Sequence, residues 1–315
     1  MTIILDSKDF CKDHTCVALG NFDGVHRGHK AIISKAVECA LAEGLTSCVY
    51  TFRTHTSHIL GRQKMLLTDT DEKNELISKL NCDLIYLDDF ETVRYMLPAD
   101  FCQKILYDKL KARYVFCGED YRFGYNGEGD VSLLEAELSK LDIKLEVIPF
   151  LHTDNSEVIS STMIREYITD GNVDSACKLL GSPYRISGIV MHGKQLGRKL
   201  GFPTLNIPIP ADKIIPKFGV YVSTCLLDGT WYEGISNIGI RPTTDSQTNT
   251  KDIINCETYL FDYNGDAYGK KIIVKFWKMI RPEMKFSTIE ELKERISIDR
   301  NTAIKCFKEI RPEFM

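Results

Sequence analysis

The apolar positions of this chain change rhythm once, close to residue 181. Before it, short apolar runs alternate with helical patterns. "TCVALGNF" (15–22) reads as a strand, and "HKAIISKAVECALAEG" (29–44) follows with Ile33, Ala36, Val37, Ala40 and Leu41 at helical spacing and Gly44 as a stop. Next come the apolar "LTSCVYTF", a helical pattern around "DEKNELISKL", the strand "CDLIYLD", the helical "PADFCQKILYDKLKA", and the strands "RYVFCG" and "IKLEVIPF". Strands alternating with helices predict right-handed βαβ units and a parallel sheet. Ligands of such sheets bind beyond the carboxyl ends of the strands.

After "GSPY" (181–184) the helical spacing gives way to β-rich segments. Asp228-Gly229 and Asn264-Gly265 each sit between alternating segments, and both dipeptides predict hairpin turns. The tail returns to helix, with Ser287 and Glu290 spaced as a capping box ahead of Ile289, Leu292 and Ile296. The expected fold is α/β: a parallel-sheet domain over residues 1–183, then an antiparallel β-barrel with C-terminal helices over 184–315.

Length agrees, since 315 residues exceed one ordinary core. With 43% hydrophobic and 27% charged residues the chain reads as globular, and a net charge of −4 offers no footprint for nucleic acid or an anionic membrane. Any anion must be bound locally. No apolar run approaches a membrane span, and "MTIILDSKDF" lacks the build of a signal peptide. The eleven cysteines form no C-x-x-C pair, which predicts reduced packing thiols and a cytoplasmic protein. The expected partners are small molecules, with no nucleic acid and no membrane, for a monomer or weak homo-oligomer.

Chemistry concentrates first in "GNFDGVHRGH" (20–29). Glycines let backbone approach a ligand, and the start of a helix offers N–H groups and partial positive charge to phosphates. His26 and His29, three residues apart, face one way and add donors. The stretch lacks the G-K-[ST] ending of a Walker loop and is not a dinucleotide fingerprint. On spacing alone the histidines could equally be solvated or satisfied in a core. The stretch resembles the signature of the nucleotidyltransferase superfamily and, at full length, its FMN adenylyltransferase branch. The resemblance implies a Rossmann-like domain in which Gly20, Phe22, Asp23, Gly24, His26, Gly28 and His29 bind ATP. It further implies that His26 and His29 stabilise charge as pyrophosphate leaves, without a covalent enzyme intermediate.

Three further segments bear on that site. "ISSTMIREYITDG" (159–171) opens a helix with hydroxyls placed as caps, and it resembles the family's SSTxIR nucleotide motif through Ser160, Ser161, Thr162 and Arg165. "FCGEDYRFG" (116–124) resembles G-x-D-F-x-F-G, with Gly118, Asp120 and Gly124 in place and Tyr121 for a phenylalanine. Asp120 would then act on substrate or metal, the alternative being a loop-stabilising carboxylate. "TFRTHT" (51–56) departs from the family's T-F-x-P-H-P: Thr54 and Thr56 replace both prolines, giving the loop more freedom when unfolded. His55 stays, its role open.

The second concentration is "GIVMHGKQLGRKLGFPTLNI" (188–207). Gly188 to Lys194 nearly spells a P-loop, but Gln195 stands where Ser or Thr would hold magnesium and no helix pattern follows. A glycine- and lysine-rich loop suits a triphosphate, and Thr204 and Asn206, two apart on an extended segment, offer oxygens to Mg²⁺ from one face. A β-domain with a basic loop is the plainer alternative. The stretch resembles the riboflavin kinase motif G-x-x-x-G-R-x-L-G-F-P-T-x-N, with Gly193, Gly197, Arg198, Gly201, Phe202, Pro203, Thr204 and Asn206 in place. "FGVYVS", "SNIGIRPTT", "CETYLFDY" and "DAYGKKIIVKFWKMIRPEMKF" follow in the family's order.

The resemblance covers nearly the whole chain, which is identified as a member of the bifunctional riboflavin kinase/FMN adenylyltransferase family. It implies ATP binding by Gly193, Lys194, Gly197, Arg198, Gly201, Pro203, Thr204 and Asn206. Mg²⁺ would sit on Thr204 and Asn206, and Glu257 would be the base, the alternative being an exposed strand carboxylate. Arg241 and Arg281 are candidates for the flavin or phosphate side, the alternative being ordinary surface ion pairs. The implied substrates and products are ATP, riboflavin, FMN and FAD. Two alternatives stay open: transfer of a nucleotidyl group to another phosphorylated acceptor, and a flavin-binding regulator with a catalytically dead domain.

Overall fold

Two of the expected features meet at the carboxyl edge of a six-stranded sheet. In a computed structural model, which describes residues 1–61, 64–193, 197, 201–241 and 253–310, the chain divides into the units Met1–Ser161 and Thr162–Met315. The first unit holds β1 (Ile3–Asp6), β2 (Thr15–Leu19), β3 (Thr46–Phe52), β4 (Leu84–Asp88), β5 (Ala112–Gly118) and β6 (Lys144–Ile148). They lie in the order β1-β4-β3-β2-β5-β6, every pairing parallel. Alternation sorts the central strand between two cores. Val17 and Leu19 join Tyr50, Tyr86 and Val115 on one face, while Cys16 and Ala18 join Ile33, Ala36, Val49 and Phe116 on the other.

Helix α1 (Arg27–Glu43) buries Ile32, Ile33, Ala36 and Ala40 and ends at Gly44, whose left-handed φ of 65° lets its N–H reach Ala40 O. Helix α2 (Thr70–Ser78) is capped by Asp69, which accepts Glu72 N at 2.8 Å. The "PADFCQKILYDKLKA" pattern forms one helical turn at Pro98–Asp100 and then a π-helical stretch, Phe101–Lys109. Among the unforeseen elements are α3 (Val131–Ser139) and the edge strand β1. Strand β1 is only four residues long, with Ile3 and Ile4 exposed, too short to show a period.

From β2 the sheet grows through β3 one way and through β5 the other. The carboxyl ends of β2 and β5 therefore flank the crevice where doubly wound sheets bind ligands.

The second unit begins with helices α4 (Ser161–Thr169, its first residue still in the first unit) and α5 (Val173–Leu180). Its strands are β7 (Tyr184–Ile189), β8 (Thr204–Pro208), β9 (Gly219–Leu227), β10 (Thr230–Arg241), β11 (Ile253–Leu260) and β12 (Lys271–Pro282), ordered β7-β12-β9-β10-β11-β8 and all antiparallel. The sheet curls until Met191 N donates to Asn206 O at 2.8 Å, closing the barrel. The units divide ahead of residue 183 because α5 packs its Val173, Ala176, Leu179 and Leu180 face on β7 and β12.

Asp228-Gly229 makes the expected tight turn, with φ of 50° and 80°. Asn264-Gly265 does not. Strand β11 pairs with β10 and β8, whereas β12 pairs with β7 and β9, so the segment carrying this dipeptide crosses between non-neighbouring strands. The tail forms one helix among the described residues, α6 (Ile289–Ile310), rather than several. Its box sits one residue later than the spacing suggested: Glu291 N donates to Thr288 Oγ1 at 3.1 Å, and Glu291 Oε2 accepts Ser287 N at 2.9 Å. Ala303 and Phe307 of α6 cover Val220, Val222, Ile235 and Trp277 on the outer face of the barrel.

Candidate active sites

The loop after β2 reverses sharply. Phe22 (φ 52°), Gly24 (φ 82°) and Val25 (φ 41°) all take left-handed backbone, a strained choice for a β-branched residue that costs about 1–3 kcal/mol per non-glycine position. Full burial of Phe22 and Val25 holds the turn in place. Asp23, 4% exposed, braces it: its carboxylate accepts Leu67 N and Thr68 N at 3.0 Å each and Thr68 Oγ1 at 3.2 Å, while Gly24 N donates to Thr68 Oγ1 at 3.0 Å. This carboxylate ties the loop to residues 67 and 68.

His26 caps α1. Its Nδ1 accepts His29 N at 3.4 Å, which assigns the ring proton to Nε2. The two imidazoles stack with centroids 3.6 Å apart, and Phe22 meets His29 edge-on at 5.4 Å. Gly28 makes room for this, since a Cβ there would lie 3.2 Å from His26 Cε1; at Gly20 one would lie 2.9 Å from the Phe22 ring. The structure thus brings Gly20, Phe22, Asp23, Gly24, His26, Gly28 and His29 together at a helix N-terminus, where phosphate is favoured.

Three further segments carry the remaining candidates. Ser161 Oγ donates to Asp23 O at 3.1 Å, so the serine motif touches the loop; Ser160 precedes it, and Thr162 and Arg165 continue along α4 in the second unit. Gly118 ends β5 and is buried, and Asp120 follows two residues on, exposed. His55 is a cap: its Nδ1 accepts Ser57 N at 3.2 Å and pairs with Ser57 Oγ at 2.7 Å, starting the one-turn helix Thr56–Ile59. Thr56, in place of a proline, is the first residue of that turn, where proline also fits well.

The motifs did not reveal Thr68, Asn21 or Lys73. Asn21 Oδ1 is buried with no hydrogen-bond partner among the described residues, while its backbone oxygen accepts Thr51 Oγ1 at 3.1 Å. The available signal was "EKN" (72–74), three polar residues in a row that are all buried on α2.

In the second unit the site is one face of paired strands. Glu257 lies opposite Asn206 on β8 and Asn237 on β10. Opposed antiparallel residues share a face, so Thr204, Asn206, Asn237 and Glu257 point the same way. Asn206 is buried, with Oδ1 accepting Asn255 Nδ2 at 2.7 Å and Nδ2 reaching Thr204 O at 3.3 Å. Gly193 lies against this amide, where a Cβ would come within 2.8 Å of Asn206 Nδ2, and a Cβ at Gly197 would lie only 2.4 Å from Phe202 O. Gly201 (φ 87°) and Pro203 lead into β8.

Lys194 and Arg198 lie outside the described residues, as does the side chain of Arg241 at the end of β10. Arg281 reaches α6. Its Nε donates to Asp299 Oδ2 at 2.9 Å, Nη2 pairs with the same carboxylate, and Arg295 joins at 3.2 Å. That cluster ties β12 to α6 and gives the Arg281 guanidinium a carboxylate partner. Among the described residues no group of three His, Cys, Asp or Glu is placed to hold a metal. The neutral oxygens of Thr204 and Asn206 beside Glu257 fit magnesium that arrives on nucleotide phosphates, because Mg²⁺ keeps most of its shell in water and phosphate.

A parallel α/β unit with a histidine-capped helix at its switch point, followed by a closed antiparallel barrel, defines a two-domain protein with one polar site per domain. A family model described as FAD synthetase matches residues 9–163, and one described as riboflavin kinase matches 180–307. The bifunctional riboflavin kinase/FMN adenylyltransferase of Bacillus subtilis is 37% identical over 299 residues, covering 94% of this chain and 93% of its own. Its counterpart in Listeria monocytogenes is 37% identical over 90% of this chain and 89% of its own. A crystal structure described as a macrolide-efflux protein from Streptococcus pneumoniae is similar with a TM-score of 0.84 at 27% identity, covering 96% of this chain and 98% of that one. No described helix here is long and apolar enough to cross a membrane. The chain belongs to the bifunctional riboflavin kinase/FMN adenylyltransferase family.

Proposed function

We propose that the chain phosphorylates riboflavin with ATP, giving FMN and ADP, and then joins FMN to the AMP part of a second ATP, giving FAD and pyrophosphate. The observation that carries this reading is the pair of family matches, one over the histidine loop and one over the strands that carry Thr204, Asn206 and Glu257.

In adenylyl transfer, carried by residues 1–183, an FMN phosphate oxygen attacks the α-phosphorus of ATP and pyrophosphate leaves. No proton need move. The first N–H groups of α1 and the stacked pair His26 and His29 take the charge of the departing phosphates. Ser160, Ser161, Thr162 and Arg165 hold the nucleotide, and Asp120 acts at the open edge. In phosphoryl transfer, carried by 184–315, Glu257 accepts the proton of the riboflavin hydroxyl as that oxygen takes the γ-phosphoryl group. Gly193, Gly197, Gly201 and Pro203 shape the ATP loop, and Lys194 and Arg198 supply cations to it. Thr204 and Asn206 would hold Mg²⁺, which neutralises phosphate charge when bound. The protein works in the cytoplasm on small molecules, as a monomer or weak homo-oligomer, without nucleic acid; eleven free thiols support the compartment.

Product analysis after incubation with riboflavin and MgATP tests the division of labour. His29→Ala should accumulate FMN while FAD formation drops by about 100-fold or more. Glu257→Ala should lose riboflavin phosphorylation by about 100-fold or more yet still convert supplied FMN to FAD. Equal loss of both reactions in both folded variants would overturn the reading.

A further inference from the structure

Behind the loop that carries His26 and His29 lies a lysine to which neither reaction yet gives a task. Lys73, on the second turn of α2, is 6% exposed. Its Nζ donates to Phe52 O at 2.7 Å and Thr51 Oγ1 at 3.2 Å, both at the carboxyl end of β3, and to Asn21 O at 3.5 Å in the loop after β2. All three acceptors are neutral, and Lys73 forms no ion pair with the described residues.

Removing an ammonium from water without a carboxylate beside it costs several kcal/mol. Burial accordingly pushes the Lys73 pKa down to about 8, while the more distant Asp23 carboxylate pulls it up. A fold that needed only to tie β3 to the loop would be served by a neutral donor. A full charge in that place does more: poorly screened by solvent, it raises the potential in front of the loop, where phosphates would sit.

We propose that Lys73 is a positioning residue for adenylyl transfer, fixing the Gly20–His29 loop against the end of β3 and lending its charge to the polyphosphate bound before that loop. The inference rests on the adenylyl-transfer reading above. The charge that acts on the Lys73 ammonium is the Asp23 carboxylate on the loop; among its chain neighbours, Asp69 caps α2, Glu72 precedes Lys73, and Arg53 follows Phe52 at the end of β3.

The test uses the full chain with two variants, Lys73→Met and Lys73→Arg, and follows both reactions in each preparation. Lys73→Met should lower kcat/KM for ATP in FMN adenylylation on the order of 100-fold, chiefly through KM, and leave riboflavin phosphorylation within about twofold. Lys73→Arg should recover part of the loss. In the wild type, kcat/KM for ATP in adenylylation should fall as pH rises through about 8, because the ammonium gives up its proton. That limb should be missing from Lys73→Met and from the phosphorylation reaction. A wild type that makes no FAD from FMN defeats the adenylyl-transfer reading itself. A wild type that makes FAD, beside a Lys73→Met variant with unchanged kcat/KM and the same alkaline limb, overturns the role of Lys73 alone. Should Lys73→Met fail to fold, the wild-type limbs still decide: equal limbs in both reactions overturn the inference, and a limb in adenylylation only supports it.

Discussion

The two sites are assembled in different ways. In the first unit, the site follows from topology. The sheet reverses its order at β2, so the loops after β2 and β5 must lie side by side, and a helix must begin there. The residues in that loop are then chosen to survive a tight reversal: glycines where a Cβ would strike a ring, a buried Phe and Val held at positive φ, and an aspartate spent on bracing. In the second unit, register assembles the site. Glu257, Asn206 and Asn237 meet only because three strands from distant parts of the chain align them on one face. Topological placement brings loops to one sheet edge, whereas placement by register aligns single side chains on one face.

The contrast can be broken most directly at one glycine in each site. In Gly28→Ala the new methyl, 3.2 Å from His26, must displace the ring that caps α1. FAD formation should fall on the order of 100-fold and FMN formation should persist. In Gly193→Ala the methyl would meet the Asn206 amide at 2.8 Å. Here riboflavin phosphorylation should collapse on the order of 100-fold, while supplied FMN is still adenylylated. If either substitution stops both reactions, the two sites are not separately built.

Stability gives the next largest effect. Asp299→Ala leaves the buried guanidinium of Arg281, and that of Arg295, without their shared carboxylate. The barrel should lose about 3–5 kcal/mol. Both tryptophans, Trp231 and Trp277, lie in the second unit, so indole fluorescence during urea unfolding reports that unit directly. A midpoint equal to wild type would mean that the cluster ties nothing together.

A smaller effect comes from alkaline pH. Burial pushes Cys225 and Cys256 up to about 12 from an ordinary 9. Between those values the unfolded chain has lost protons that the folded chain keeps. The stability these thiols contribute is complete below pH 9 and is lost as pH rises toward 12, by about 1.4 kcal/mol per thiol per pH unit. The urea midpoint of the barrel, read by fluorescence, should therefore drop between pH 9 and pH 10. A flat profile would show that these thiols are not buried as neutral groups.

What could be read from sequence follows the same division. The strand, loop and helix of residues 15–44 were legible because their signals are local: period two, then helical spacing, then a terminal glycine. Asp228-Gly229 was legible for the same reason. Asn264-Gly265 carries an identical local signal and misleads, because pairing partners are chosen by the whole sheet. Arg281 pairs with Asp299, eighteen residues on, a partner that no local spacing names. Lys73 joins three segments, at residues 21, 51–52 and 73, and no one-dimensional pattern records such a meeting.

The finest distinction concerns the cap of α6. The spacing of Ser287 and Glu290 suggests one box, but the hydrogen bonds belong to Thr288 and Glu291. In Thr288→Ala the N–H of Glu291 loses its acceptor, which should cost about 1 kcal/mol, or a fall of about 2–4 °C in the melting temperature of a unit this size. Ser287 gives only its backbone N–H to Glu291, a donor that alanine keeps, so Ser287→Ala should melt like wild type. The ranking of these two variants by fluorescence-detected melting decides the register of the cap: the reverse order would restore the box the spacing suggested and move the start of the helix covering Ile235 and Trp277 by one residue.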